Sequence, residues 1–150
     1  MTERLHYTGC GLDWVYLVNG FKRHDTPYGR GVSITNVDGL HKVIAKTIVI
    51  SPHRMRGQEV RFLRSMLDYS QRDIALAAGV TRASVARWEG DRTKPIPRSA
   101  DHAIRFYYAA HEAGDETVKR ISEVLTEIDK LEYGEIQFRD ANRHWRRMAA

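Results

Sequence analysis

Ser70-Gln71-Arg72-Asp73-Ile74-Ala75-Leu76-Ala77-Ala78-Gly79-Val80-Thr81-Arg82-Ala83-Ser84-Val85-Ala86-Arg87-Trp88-Glu89 reads as two short helices joined by a tight turn. Ser70 is a good N-cap, because its hydroxyl can accept from an amide that has no partner in the first helical turn. Ile74, Ala75 and Ala78 fall on one face at three- and four-residue spacing. Gly79 ends the first helix, where the chain needs a positive φ that glycine adopts without strain. Thr81 caps the second helix, and Val85 and Trp88 point back at the first. Ala75 supplies the small side chain that two steeply crossing helices need at their contact. The outer face of the second helix carries Arg82, Ala83, Ser84 and Arg87, side chains suited to a DNA groove, where arginine can engage both acceptors of a guanine edge. The pattern is a helix-turn-helix.

Upstream, Gly57-Gln-Glu-Val-Arg-Phe-Leu-Arg-Ser-Met-Leu-Asp68 is an amphipathic helix with Val60, Leu63 and Leu67 inward. The combination RFLRxxLxxSQxxxAxxxGVxxxSVxRWE closely resembles the phage repressor and Cro-like (XRE) family of transcriptional regulators, from about Gly57 to Tyr108. The resemblance implies that Arg82, Ala83, Ser84 and Arg87 face base edges. It places Gln71, with Arg72 beside it and Thr81, against phosphates, and Arg92, Thr93 and Lys94 along the backbone. Arg64 and Glu89 match a pair that forms a buried, structural salt bridge in the family. Trp88 has the spacing of a core residue, not of a platform for bases.

Composition agrees with a nucleic-acid partner through the distribution of charge more than its total. The 150-residue chain has a net charge of +5. From Pro52 to Arg98 there are 10 Lys or Arg against 5 Asp or Glu, while the rest of the chain holds 14 of each. From Asp101 to Glu135 there are 4 basic and 9 acidic residues. The positive excess therefore sits on the helix-turn-helix, as a phosphate-binding surface requires. No apolar run approaches the roughly 20 residues of a membrane span, and the first residues lack the apolar core of a signal peptide. The expected compartment is the cytoplasm. The lone Cys10 rules out an internal disulfide.

Residues 1–51 read as a small α/β module. Asp13–Val18 and Phe21–His24 are strand candidates, with Asn19-Gly20 between them as a two-residue hairpin turn. Val32–Thr35 is a third short strand, and Asp38 caps a helix from Gly39 to about Ile48. A small N-terminal module before such a helix-turn-helix is similar to a group of bacterial antitoxins, whose module is a zinc ribbon built on paired cysteines. This chain departs from that pattern. Cys10 has no CxxC partner, and His6 with Cys10 supplies two ligands where a closed site needs four. The module is read as metal-free, and no cofactor is expected.

Residues 57–113 form the repressor-like domain, closed by a helix from Ser99 to about Ala113 with Ala103, Phe106, Tyr107 and Ala110 inward. Residues 114–150 are the expected dimerisation segment. A helix from Asp115 to Glu132 carries Val118, Ile121, Val124, Leu125, Ile128 and Leu131 as an apolar stripe, with Ile121, Leu125 and Ile128 at the dimer contact. Beyond it, Glu135–Arg139 and His144–Met148 suggest a weak terminal hairpin that could join the N-terminal sheet, and whose Arg139, Arg143, Arg146 and Arg147 suit a solvated or dimer-rim position better than DNA. The expected fold class is thus α+β: an N-terminal hairpin and helix, an all-α helix-turn-helix domain, and a C-terminal helix and tail. The expected function is a dimeric repressor of a pseudo-palindromic operator, binding the major groove of double-stranded DNA and autoregulatory in the simplest case. The alternative is an antitoxin that neutralises a partner toxin by protein–protein binding. No catalytic constellation appears: no GxSxG, Walker or HExxH arrangement, so no enzyme is expected.

Overall fold

The computed structural model describes residues 3–113 and 133–149. The fold is mixed α+β, with five helices and six strands in two sheets among the described residues. The chain forms two compact units, Met1–Val43 with Gly134–Ala150, and Ile44–Tyr133. The expected C-terminal helix, 115–132, with Ile121, Leu125 and Ile128, lies outside the described residues.

The first unit is built on a four-stranded sheet of strands β1 (Leu5–His6), β2 (Val15–Leu17), β5 (Ile136–Ala141) and β6 (His144–Arg147), in the order β1-β2-β5-β6. β1 and β2 are antiparallel, β2 and β5 parallel, and β5 and β6 antiparallel. The register pairs Val15 with Ile136 and Leu17 with Phe138. Those four side chains and Trp145 are buried on one face, as the two-residue side-chain period of a half-buried sheet demands, and Leu12 and Trp14 are buried in the loop before β2. Asn142 and Arg143, with φ of 53° and 65°, turn β5 back into β6. Two successive positive φ values are the geometry that matches a hairpin's twist.

The Asn19-Gly20 hairpin does not form. β3 (Phe21–Thr26) pairs instead with β4 (Gly29–Ile34) as a separate two-stranded ribbon, turned at Pro27-Tyr28. β2 is unavailable to β3 because β1 and β5 occupy its two edges. Asn19 is used elsewhere: its side-chain oxygen accepts from the Asp140 amide at 2.7 Å, and its amide donates to the Asp140 carbonyl at 3.3 Å. Gly20, at φ 77°, passes under Trp145, whose ring would stand 2.6 Å from any Cβ there. The Trp145 indole N–H then donates to the Thr35 carbonyl at 3.0 Å.

Helix α1 spans Val37–Ile50, longer at both ends than the sequence suggested. Its cap is Asn36, not Asp38: the Asn36 side-chain oxygen accepts from the Gly39 amide at 3.2 Å. The second unit contains the C-terminal half of α1 and helices α2 (Gly57–Met66), α3 (Gln71–Ala78), α4 (Arg82–Gly90) and α5 (Arg98–Tyr108). A π-helical turn, Ala109–Ala113, follows α5.

The buried face of α5 differs from the expected one. Ala100, Asp101, Ile104, Arg105 and Tyr108 are buried, while Ala103, Phe106 and Tyr107 are half-buried and Ala110 is exposed. The reason is a buried ion pair that hydropathy counts as solvent-facing. Arg105 is inaccessible to solvent and its Nε donates to the Asp101 carboxylate. Its other nitrogens donate to the carbonyls of Ile48 at 2.9 Å, Val49 at 3.2 Å and Ser51 at 2.7 Å, and to that of His53. The second Asp101 oxygen accepts from the Met55 amide at 3.0 Å. One guanidinium thus satisfies the carbonyls that the C-terminus of α1 leaves open.

Candidate nucleic-acid interface

The helix-turn-helix is assembled by local hydrogen bonds. The Ser70 hydroxyl accepts from the Asp73 amide at 3.1 Å, and the Asp73 carboxylate accepts from the Ser70 amide at 2.9 Å. This reciprocal box supplies partners for two amides at the start of α3. The bond from the Ser70 amide holds the Asp73 carboxyl below the usual carboxylate range. Gly79 ends α3 at φ 71°, with its amide on the Leu76 carbonyl at 3.3 Å. The Thr81 hydroxyl then accepts from the Ser84 amide at 3.1 Å and starts α4.

Between the two helices Ile74, Ala75, Val85 and Trp88 are buried. On the buried face of α3, Ile74 supplies apolar bulk and Ala75 only a methyl group. The opposite face of α4 presents Arg82, Ala83 and Arg87, all exposed. Neither guanidinium makes an ion pair among the described residues. Ser84 is half-buried, and its hydroxyl lies 3.0 Å from that of Thr81, so it shares in the cap. Gln71 is half-buried in the first turn of α3, and Arg72 and Thr81 are exposed beside it.

Arg64 and Glu89 form a bidentate pair, Nε to Oε2 at 2.9 Å and Nη2 to Oε1 at 2.8 Å, with the Arg64 Nη1 on the Tyr69 carbonyl at 3.0 Å. Donating to the Glu89 carboxylate raises the Arg64 guanidinium pKa. This pair joins the end of α2 to the end of α4 and to the residue before the Ser70 cap. It fixes the angle at which α4 is presented.

The loop with Arg92, Thr93 and Lys94 is held by the start of α2, through residues whose part in this the sequence does not reveal. The Gly57 amide donates to the Lys94 carbonyl at 3.3 Å, and the Gln58 amide to the Arg92 carbonyl at 3.1 Å. The Gln58 side chain reinforces the second bond at 3.4 Å. Amides that open a helix need acceptors, and here the loop backbone provides them. Gly57 must be glycine, because a Cβ would overlap the Trp88 carbonyl oxygen. Behind it the Glu59 carboxylate, fully buried, accepts from the Arg56 amide and Nε, both at 2.9 Å. The side chains of Arg92, Thr93 and Lys94 remain exposed on this anchored loop. The only clue in the sequence is a glycine at the first position of α2, which serves clearance as well as helix entry.

No group of three or more His, Cys, Asp or Glu able to hold a metal ion occurs among the described residues. Cys10 donates to the Tyr7 carbonyl at 3.6 Å, and burial pushes its thiol pKa up. No described helix is long and apolar enough to cross a membrane. No family model, curated protein or solved structure matches this chain.

Proposed function

We propose that this protein is a sequence-specific DNA-binding transcriptional regulator of the phage repressor and Cro-like type, a dimeric repressor of a pseudo-palindromic operator. The observation that carries the reading is the two-sided character of α4. Val85, Trp88 and Glu89 lock one side into the unit, while Arg82, Ala83 and Arg87 stand exposed on the other. A helix of this width fits the major groove, and its arginines can bond both O6 and N7 of guanine. Gln71 and Arg72 at the start of α3, Thr81 at the start of α4, and Arg92, Thr93 and Lys94 on the anchored loop would set register on the phosphates. Ser84 would reach a base only by giving up part of its cap. Two copies related by a two-fold axis would enter successive major grooves about 34–36 Å apart, and occupancy would block a promoter.

Selection from a random duplex library with purified full-length protein tests this. A symmetric enriched motif is expected. Arg87→Ala should relax base preference at one position of each half-site, at a cost of about 1–3 kcal/mol of discrimination. Lys94→Ala should weaken all sequences alike and flatten the salt dependence by about 0.9 per lost contact. If neither variant altered duplex binding, the groove assignment would be wrong.

A further inference from the structure

The four-stranded sheet has a second face, and its charge has no use in the reading above. Along β5, Ile136, Phe138 and Asp140 point to the buried side with their partners on β2 and β6. Gln137 and Arg139 therefore share the opposite side with Tyr16 and His6, the partners in register on β2 and β1. On this side the antiparallel register sets Arg139 directly across from Arg146, and Ala141 across from His144. Arg139, His144 and Arg146 are all exposed, as is Arg143 in the turn.

Two like charges directly opposed on neighbouring strands destabilise a sheet. Asp140, the one acidic residue of the hairpin, cannot relieve them because it points to the other face, opposite Trp145. Glu135 is engaged by Arg4 and accepts from the Gln137 side chain at 2.8 Å. Among the described residues, neither Arg139 nor Arg146 has a carboxylate partner. A second copy of the chain laid on this face would bring further arginines against these. A polyanion would relieve the repulsion.

We infer that the open face of the β1-β2-β5-β6 sheet is a second duplex-DNA contact surface, on which Arg139 and Arg146 pair with backbone phosphates. The inference rests on the proposed DNA-binding function and extends it to the first unit. Such contacts are independent of sequence. They raise affinity for every duplex and add counterion release without changing base preference.

The test measures affinity of the full-length protein for a mixed-sequence duplex across a salt series, with wild type, the Arg139→Gln/Arg146→Gln pair, the matching Lys pair and Lys42→Gln on α1. The glutamine pair should flatten the slope of log affinity against log salt by about 0.9 for each lost phosphate contact, with the selected motif unchanged. The lysine pair should restore the slope, and Lys42→Gln should match wild type. Should the glutamine pair lose its folded circular dichroism, Arg146→Gln alone carries the comparison, with half the effect expected. A wild-type slope in the glutamine variants, while Arg87→Ala still relaxes base preference, overturns this inference alone. Absence of any duplex affinity in the wild type overturns the proposed function with it. Self-association that weakens in the glutamine pair, with the DNA slope unchanged, would assign the face to a second copy and overturn the inference too.

Discussion

Gly57 shows how much a missing atom can decide. The start of α2 abuts the backbone of α4 at Trp88, and the same residue donates to the Lys94 carbonyl. Gly57→Ala has no flexible side chain to push aside, only backbone. Overpacking a tight contact costs about 1–3 kcal/mol, and this substitution belongs at the upper end. Denaturant unfolding should show that loss, and a shift within about 0.5 kcal/mol, the range of ordinary surface changes, would mean that α2 and α4 separate easily. This contact is hard to read from sequence, since a glycine opening a helix looks like an ordinary entry residue. Ser70, Gly79 and Thr81 are different. Their bonds reach amides and carbonyls three or four residues away, so the residue and its partner stand in the same short stretch.

Among the elements, α3 and α4 depend mainly on local chemistry, while α1 and α5 depend on each other. The C-terminus of α1 is satisfied by a side chain more than fifty residues further along, Arg105 on α5. Arg105→Met would keep the bulk, remove the donors and leave Asp101 buried without its counter-charge. Breaking a buried pair from one side costs about 3–5 kcal/mol. The expected outcome is a large fall in the unfolding midpoint, and a variant within about 1 kcal/mol of wild type would show that water replaces the guanidinium. The sequence reading of α5 chose the wrong face for this reason. An i, i+4 Asp–Arg pair looks like a solvated helix surface until the carbonyls of the α1 terminus are placed against it.

At the scale of the whole molecule, the C-terminal strands join the N-terminal sheet, the place the sequence suggested for them, through a parallel pairing that it did not. β5 lies beside β2 in parallel, bonding the Ile136 amide to the Trp14 carbonyl at 3.0 Å and the Val18 amide to the Phe138 carbonyl at 3.1 Å. Removing Gly134–Ala150 should therefore strip Val15 and Leu17 of their packing partners and leave β2 with only one of its two strand neighbours, β1. Hydrogen exchange would report loss of protection at β2, with α3 and α4 protected as before. Retained protection at Val18 would contradict the parallel pairing. The terminal hairpin itself was legible in the alternation of Ile136, Phe138 and the residues between them. Its place in the N-terminal sheet was suggested as well, but its partner and direction were not, because a parallel pairing between strands so distant in sequence leaves no turn signature.

What the sequence by itself determined is the helix-turn-helix: caps, turn glycine and apolar spacing lie within twenty consecutive residues, and each acts over one helical turn. The exposed Arg82 and Arg87 follow from the same periodicity. Only the tertiary structure decided the pairing of β3 with β4, the parallel pairing of β5 with β2, and the burial of Asp101 and Arg105. It also decided the clearance at Gly57 and the facing of Arg139 with Arg146. Each of these depends on groups distant in sequence competing for a strand edge, a set of carbonyls or a volume. The winner of that competition is settled only when the chain closes on itself.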